Sequence, residues 1–315
     1  PLACNVKLEE IAQRQVAAQV AEAATLYRTV AVECPETMRW SGRLLGYATA
    51  LAAAGAQTEA RVLLAQERPR RTPAEEAGLR LLAGRLATDQ GDAETARTSF
   101  ESVFGLSVPE AVKTEADLGL ARLDARGNPE VAITALRALQ DRPAEPAVRA
   151  GIFGETAALM AQRGQYSAAL ALLDRAERLG PAGDDQARRR RGEILGTWIQ
   201  SLRDRDDTSG IATVYAGYAT LVHEVLAPGD RLIVASALST LGLHAEAARV
   251  TVRTGTRFGP DLSIVFAEES LAAGDLTTAR ATAEQLLRSR AVPPAVKRRA
   301  LRVAVRAALT DGDLD

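Results

Sequence analysis

Apolar residues recur along most of this chain at intervals of three and four, which is the spacing of one face of an α-helix. The stretch RGQYSAALALLDRAERLGP at 163–181 shows this arrangement clearly, with Ala169, Leu173 and Ala176 on one side of a predicted helix. Short polar segments containing glycine, aspartate or proline separate the apolar stretches. The pattern predicts an all-α chain made of many short helices.

The same residue spacing recurs around six glycines. An alanine stands five residues after each of them, in all six copies. The first four glycines are 36, 36 and 37 residues apart, and a regular interval of this length is typical of a solenoid of helical hairpins. We therefore predict a hairpin turn at each glycine and a close contact between two helices near each alanine. The glycines are Gly55, Gly91, Gly127, Gly164, Gly242 and Gly274, and the alanines are Ala60, Ala96, Ala132, Ala169, Ala247 and Ala279.

The repeat pattern is weaker in three places. Gly242 follows Gly164 after 78 residues, about two intervals, so one degenerate hairpin is expected near 184–227. Its turn is predicted within RDRDDTSG at 203–210, where aspartates, a serine and a glycine disfavour a continuous helix. Elsewhere, Leu120 stands where a small residue is expected, and Thr251 replaces a large residue.

Polar residues with helix-capping chemistry mark several predicted helix starts. Asp92, Asn128 and Asp275 each follow a turn glycine directly and are predicted N-caps. Thr72, with Glu75 three residues later, has the pattern of a capping box. These signals agree with the helix boundaries that the repeat predicts.

Over residues 145–181 the spacing resembles the signature of the tetratricopeptide repeat family. The resemblance is carried by Phe153, Ala157, Gly164, Tyr166, Ala169, Leu173, Ala176 and Pro181. It implies a right-handed α-solenoid of about seven hairpins over residues 38–290. We expect an N-terminal segment with one long helix before them (1–37), and a capping helix with one polar side and a tail after them (291–315).

The composition argues against several classes of function. Lysine and arginine total 39 against 40 acidic residues, so no net field would gather nucleic acid or an anionic membrane. The run Arg188–Arg191 spreads around a helix and is interpreted as a solvated face with local ion pairs. His223 and His244 lack the neighbours of a zinc or catalytic set, and no glycine-rich phosphate loop occurs. We predict a non-enzymatic protein without a metal or other cofactor.

The two cysteines lie at the N-terminal end. Residues 6–33 contain neither glycine nor proline, so we expect one helix over about 7–33. Such a rod is ~40 Å long, whereas the Cα atoms of a disulfide lie within ~7 Å of each other. We therefore expect a free thiol at Cys34, and a Cys4–Cys34 disulfide only if the helix breaks.

The sequence PLAC at 1–4 resembles the lipid-attachment site of bacterial lipoproteins, although Pro1 stands where leucine is usual. The resemblance implies a lipid on Cys4, and an ordinary terminal thiol is the alternative. Because the chain begins with Pro1 and not methionine, we expect further sequence upstream, where any targeting segment would lie. A bacterial periplasm or envelope is favoured over the cytoplasm.

The repeat resemblance implies a groove, lined by the first helix of each hairpin, that binds a protein or peptide. The first hypothesis is a scaffold for a bacterial envelope assembly that serves a pilus, secretion or polysaccharide export. The alternatives are a soluble cytoplasmic peptide-binding adaptor and the repeat region of a larger protein. The lysine and asparagine pair that clamps a peptide carboxylate in some family members is absent. The polar residues expected in the groove are Arg85, Asp117, Asp124, Ser236 and Glu268.

Substitution of the alanine at a helix contact tests the repeat assignment. Ala169→Leu should overpack one hairpin and lower the free energy of unfolding by about 1–3 kcal/mol. Thermal and urea unfolding of the purified variant would measure this change. A wild-type transition would contradict the assignment.

Overall fold

Helices are the regular elements throughout the part of the chain that the computed structural model describes, residues 2–16, 19–35, 43–65, 72–179, 185–251 and 259–311. A short 3₁₀ turn, Ser102–Gly105, follows one of them. The α-helices are α1 (Leu2–Val16), α2 (Val20–Glu33), α3 (Arg43–Ala53), α4 (Gln57–Ala65), α5 (Pro73–Asp89), α6 (Ala93–Glu101), α7 (Glu110–Ala125), α8 (Pro129–Leu139), α9 (Pro146–Gln162), α10 (Tyr166–Glu177), α11 (Asp185–Arg203), α12 (Thr208–Val225), α13 (Pro228–Thr240), α14 (His244–Thr251), α15 (Pro260–Ala272), α16 (Leu276–Arg288) and α17 (Pro294–Asp311).

These helices pack in chain order. The chain divides into two compact units, Pro1–Leu159 and Met160–Asp315. In the N-terminal unit each helix from α1 to α7 contacts the next one along the chain, and in the C-terminal unit each helix from α10 to α16 does. The first helix of a hairpin also contacts the first helix of the following hairpin, as α5 contacts α7 and α13 contacts α15. Contacts between sequence neighbours of this kind define an α-solenoid, in which each repeat is stabilised by the repeats beside it.

The alanines predicted at the helix contacts are fully buried. Ala60, Ala96, Ala132, Ala169, Ala247 and Ala279 are all 0% exposed. On the first helices, the residues seven positions before the turn glycine include Ala48, Ala157, Ala235 and Ala267, which are also 0% exposed. Because neither side of the contact carries a bulky side chain, paired helices approach closely. Large residues such as Phe100 and Leu173, nine positions after the turn, fill the space beside the contact.

Most turns share one backbone geometry. Gly55, Gly91, Gly164, Gly242 and Gly274 have φ between +74° and +84°, a region that only glycine enters without strain. The amide after each glycine donates to the carbonyl five residues earlier at 2.9 Å, as Gln165 N does to Met160 O. This bond closes the first helix in a Schellman motif. Gly127 differs: it lacks a positive φ, and the Asn128 amide donates to Asp124 O, only four residues earlier.

The degenerate hairpin is α11–α12, and its turn contains no glycine in the left-handed position. Asp206 takes that position with φ 54°, and the Asp207 amide donates to Leu202 O at 2.9 Å, as in the other turns. The residues equivalent to the small contact pair are Ile199 and Ile211, both buried. Larger residues on both sides of the contact explain why the sequence pattern is lost here.

The capping predictions are confirmed by hydrogen bonds. The carboxylates of Asp92 and Asp275 accept from backbone amides three residues later at 3.1 Å, and Asn128 accepts from the Val131 amide at 3.3 Å. At the start of α5, Thr72 and Glu75 exchange both bonds of a capping box. Hydrogen bonds from the Thr95 side chain and backbone hold the pKa of Asp92 below its usual range.

Two residues depart from the repeat pattern within complete hairpins, and each departure has a local explanation. Leu120 is half-buried and packs on the apolar cluster of the preceding hairpin, so no small residue is needed there. Its own hairpin is filled instead by Leu118 and Ala121. Thr251 is fully buried, and its hydroxyl donates to Ala248 O at 2.7 Å, which satisfies its polar atom inside the helix.

The prediction of one long N-terminal helix is wrong, because α1 ends at Val16 and α2 begins at Val20. The Gln19 amide donates to Arg14 O at 2.9 Å, so the break has the hydrogen bond of the other turns. Folding back buries Ile11 of α1 with Tyr27 and neighbouring residues of α2 in one cluster. Burial of this apolar surface outweighs the helical propensity of the segment.

The same folding back joins Cys4 to Cys34 in a disulfide, with their Cα atoms 6.3 Å apart. The expected free thiol at Cys34 is therefore wrong. The Cys4 sulfur that a lipid would modify is bonded to Cys34, so attachment would require this bridge to be absent. Tyr27 of α2 stacks on Tyr47 of α3, with ring centroids 5.2 Å apart. This contact packs the disulfide-bonded hairpin α1–α2 against α3.

The last helix also departs from expectation. One face of α17 is buried through Val296, Ala300, Val303 and Ala307. The opposite side is not simply polar, because Leu301, Val305 and Leu309 are exposed there. Pro181 of the repeat signature and the boundary residues 37 and 38 lie outside the described ranges.

The disulfide gives a stability prediction. Cys4→Ser/Cys34→Ser should lower the free energy of unfolding of the N-terminal hairpin by about 2–4 kcal/mol, because the bridge restricts the unfolded chain. Denaturant unfolding with and without reductant would measure the change. Alkylation of both cysteines in native, unreduced protein would contradict the bridge.

Candidate partner-binding site

Three of the polar residues predicted for the groove lie in the N-terminal unit, and Ser236 and Glu268 lie in the C-terminal unit. Asp117 accepts from Arg142 at 2.5 Å, and Asp124 pairs with Arg97. Four of the five therefore make ion pairs with neighbouring elements, since Glu268 on α15 likewise pairs with Arg299 on α17 at 2.9 Å and Arg85 on α5 pairs with Glu115 on α7. Ser236 is exposed on α13.

Arg85 lies in a different setting, at a cleft between the first helices of three consecutive hairpins. The cleft has a volume of about 370 Å³ and is lined by α5, α7, the first turns of α9 and Phe100 of α6. Its apolar lining includes Phe100, Leu118 and Val148. Gly119 and Gly151 also line the cleft.

Two arginines and their carboxylate partners surround this cleft. Arg85 pairs with Glu115, and Arg122 Nε donates to Glu155 Oε1 at 3.1 Å. About half of the Arg85 side chain is exposed, yet burial in the cleft lowers its pKa and the nearby charge of Arg122 lowers it further. The two guanidinium groups are therefore close enough for the charge of one to affect the pKa of the other, and the carboxylates of Asp89 and Glu115 line the same cleft.

The apolar side of the cleft depends on the ring of Phe100. A Cβ added at Gly84 would come within 2.6 Å of that ring, and one added at Gly119 within 2.5 Å. The ring therefore occupies the space that side chains at these two positions would need. Gly84 stands seven positions before the turn glycine Gly91, which is the small position of the repeat. Gly119 stands at no repeat position, so the repeat spacing does not identify it.

A second cavity, of about 640 Å³, lies in the C-terminal unit. It is lined by residues of α12, α14, α15 and α16, including His223, Arg249, Phe266 and Ser270. The ring of His223 packs edge-on against Tyr215, with centroids 6.1 Å apart. His244 at the start of α14 contacts Glu269 of α15, with Nδ1 and Oε2 2.8 Å apart. Both histidines thus make packing or inter-helix contacts.

The arginine run on α11 makes ion pairs with the preceding helix. Arg191 is 15% exposed and contacts Asp174 at 2.5 Å and Glu177, both on α10. The expected ion pairs are therefore present at Arg191, but they join it to the preceding helix, and Arg191 itself is mostly buried and not part of a solvated face.

Among the described residues, no group of three or more histidine, cysteine or acidic side chains could hold a metal ion. No helix in the same ranges is both long and apolar enough to cross a membrane.

Comparison with known proteins gives similarity in structure. No protein-family model and no curated protein matches the sequence. The chain is similar to PilF of Pseudomonas aeruginosa, at 14% identity and a TM-score of 0.36, over 73% of this chain and 99% of that one. It is similar to a tetratricopeptide repeat protein of Parabacteroides merdae, at 16% identity and a TM-score of 0.31, over 89% and 98%. It is also similar to the tetratricopeptide repeat domain of P58(IPK), at 16% identity and a TM-score of 0.29, over 99% and 100%.

The geometry of the chain itself defines its class. Hairpins with buried small residues at the helix contact, a glycine turn and a large residue beside the contact occur in both units and resemble tetratricopeptide repeats, whereas α11–α12 lacks the small pair and the glycine. Over the residues that the structure describes, the chain is an all-α solenoid of helical hairpins.

Two glycine substitutions in the same cleft test the packing of Phe100. Gly119→Ala should cost about 1–3 kcal/mol of unfolding free energy, because its Cβ would overlap the ring. Gly151→Ala is the matched control, since its nearest neighbour would be Leu118 at 3.4 Å and alanine favours the helix. Equal stabilities of the two variants would contradict this packing.

Proposed function

We propose that this chain is a non-enzymatic protein-interaction scaffold whose N-terminal unit binds a peptide segment at the cleft of α5, α7 and α9. The observation that carries the proposal is the combination of an open apolar cleft with two guanidinium groups beside it. An apolar side chain of the partner would contact Phe100 and Leu118. An acidic group next to it would lie between Arg85 and Arg122.

The hydrogen-bond donors of Arg85 and Arg122 support this class of partner. Each arginine has five N–H donors, and one carboxylate uses at most two of them. Asp89 and Glu115 also line the cleft, so the support comes from unused donors and not from a net positive charge. A bound carboxylate would add charge-assisted hydrogen bonds to these donors.

The compartment we propose is oxidising, and the Cys4–Cys34 bridge supports it. Disulfides persist in periplasmic and extracellular proteins and are rare in the cytosol. An envelope assembly, such as one for a pilus, secretion or polysaccharide export, is the setting that combines a scaffold with this compartment. The proposal does not include a lipid on Cys4, because lipid and disulfide would use the same sulfur.

Selection of peptides on the purified chain tests the proposed site. A phage-displayed library of random peptides is selected on wild-type protein and counter-selected on Arg85→Gln/Arg122→Gln. The enriched peptides should pair an acidic with an apolar residue, and they should bind the variant at least about tenfold more weakly.

Arg249→Gln/Arg288→Gln is the matched control for this selection. It removes the same number of charges from exposed arginines of the C-terminal unit and should bind the selected peptides as wild type does. Peptides that bind all three proteins equally would contradict the site.

A further inference from the structure

The exposed side of α17 carries two parallel rows of side chains. Leu301, Val305 and Leu309 are 55%, 49% and 60% exposed and recur at every fourth residue. Arg298, Arg302 and Arg306 are also exposed and recur with the same spacing. Residues three and four apart lie on neighbouring positions of a helix surface. The two rows therefore run side by side and form a basic, apolar strip along the helix, which we call the α17 strip.

The α17 strip faces the position in which a hairpin inside the array has its second helix. Helices α15 and α17 both begin at a proline, and the residue seven positions later is Ala267 in α15 and Leu301 in α17. Ala267 is 0% exposed and packs in one cluster with Ala279 and Ala283 of α16. Leu301 does not pack against a second helix in this way and is 55% exposed. Helix α17 is thus a first helix with an apolar face for a second one.

The arginine row of the strip indicates that a partner bound there is acidic. Within the described residues, no ion pair includes Arg298, Arg302 or Arg306, whereas Arg299 on another side of the helix is paired with Glu268. Like charges four residues apart destabilise an isolated helix slightly. An acidic partner would reverse this effect.

We propose that the α17 strip binds an acidic amphipathic helix of a partner protein, which packs on α17 as the second helix of each preceding hairpin packs on its first helix. The partner's apolar side packs on Leu301, Val305 and Leu309, and its acidic residues pair with the arginine row. This surface is separate from the cleft of the N-terminal unit, and the inference does not depend on the function proposed for that cleft.

Charge and geometry favour this occupant over two others. A second copy of the chain docked through the same strip would bring two arginine rows together. An anionic membrane would also attract a basic apolar helix. However, α17 is fixed by its buried face in the geometry of a hairpin, and every other first helix of the C-terminal unit from α11 to α15 is covered by a helix.

The test uses a peptide derived from the chain's own second helix. The probe is the α16 sequence, Leu276–Arg288, with Arg280 and Arg288 replaced by glutamate, stapled as a helix and labelled with a fluorophore. The control probe keeps both arginines. Fluorescence anisotropy should show that the acidic probe binds the full chain at least about tenfold more tightly than the control probe, with affinity falling as salt rises.

Variants locate the binding. Leu301→Ser/Val305→Ser/Leu309→Ser and, separately, Arg298→Gln/Arg302→Gln/Arg306→Gln should each weaken the acidic probe at least about tenfold. Because all six side chains are exposed, both variants should melt as wild type does, and circular dichroism checks this. Val62→Ser/Val131→Ser removes exposed apolar residues from the N-terminal unit and should leave binding unchanged.

Three results would overturn the inference. The first is no binding of the acidic probe to wild type, or binding to both α17 variants that is as tight as to wild type. The second is binding of the chain to phosphatidylglycerol vesicles, lost in the variants, without binding of the probe. The third is a dimer in sedimentation that Leu301→Ser/Val305→Ser/Leu309→Ser abolishes, since the strip would then bind a second copy of the chain.

Discussion

Close contact between two helices at a pair of small residues is the constraint on which the rest of this structure depends. Six alanines at the same repeat position are completely buried, and most of the facing positions are alanine or glycine. Close packing needs a sharp turn, which the left-handed glycines supply, and a large side chain beside the contact. The hairpin α11–α12 shows what can vary: two isoleucines replace the small pair, and Asp206 replaces the glycine, while the turn keeps its hydrogen bond.

The sequence predicts those features that repeat. Turn positions, N-caps and the alanine contacts each recur, so every copy supports the others. The N-terminal hairpin has no such support, because residues 6–33 contain no glycine or proline and read as one helix. What breaks that helix is the burial of Ile11, Tyr27 and Val30 against each other and against α3, a tertiary effect that local propensity does not reveal. The disulfide follows from the same packing.

The candidate site was only partly predictable, for a physical reason. Repeat register identifies which residues of a first helix face the groove, but ion pairs then decide which of them remain available. Asp117, Asp124 and Glu268 pair with arginines that lie 25, 27 and 31 residues away in the sequence. Arg85 was predicted, but its relation to Arg122 and to the ring of Phe100 arises from three consecutive hairpins together. The apolar row of α17 could have been read from the spacing of Leu301, Val305 and Leu309.

The central claim is that the chain is a series of closely packed helical hairpins, including one at 185–225 that the repeat signature does not mark. Amide hydrogen exchange, resolved along the chain, tests this most directly. We expect slow exchange in both helices of every hairpin and faster exchange at each turn, including residues 204–207 between α11 and α12. Uninterrupted slow exchange through 204–207, or fast exchange throughout α11 and α12, would contradict the claim.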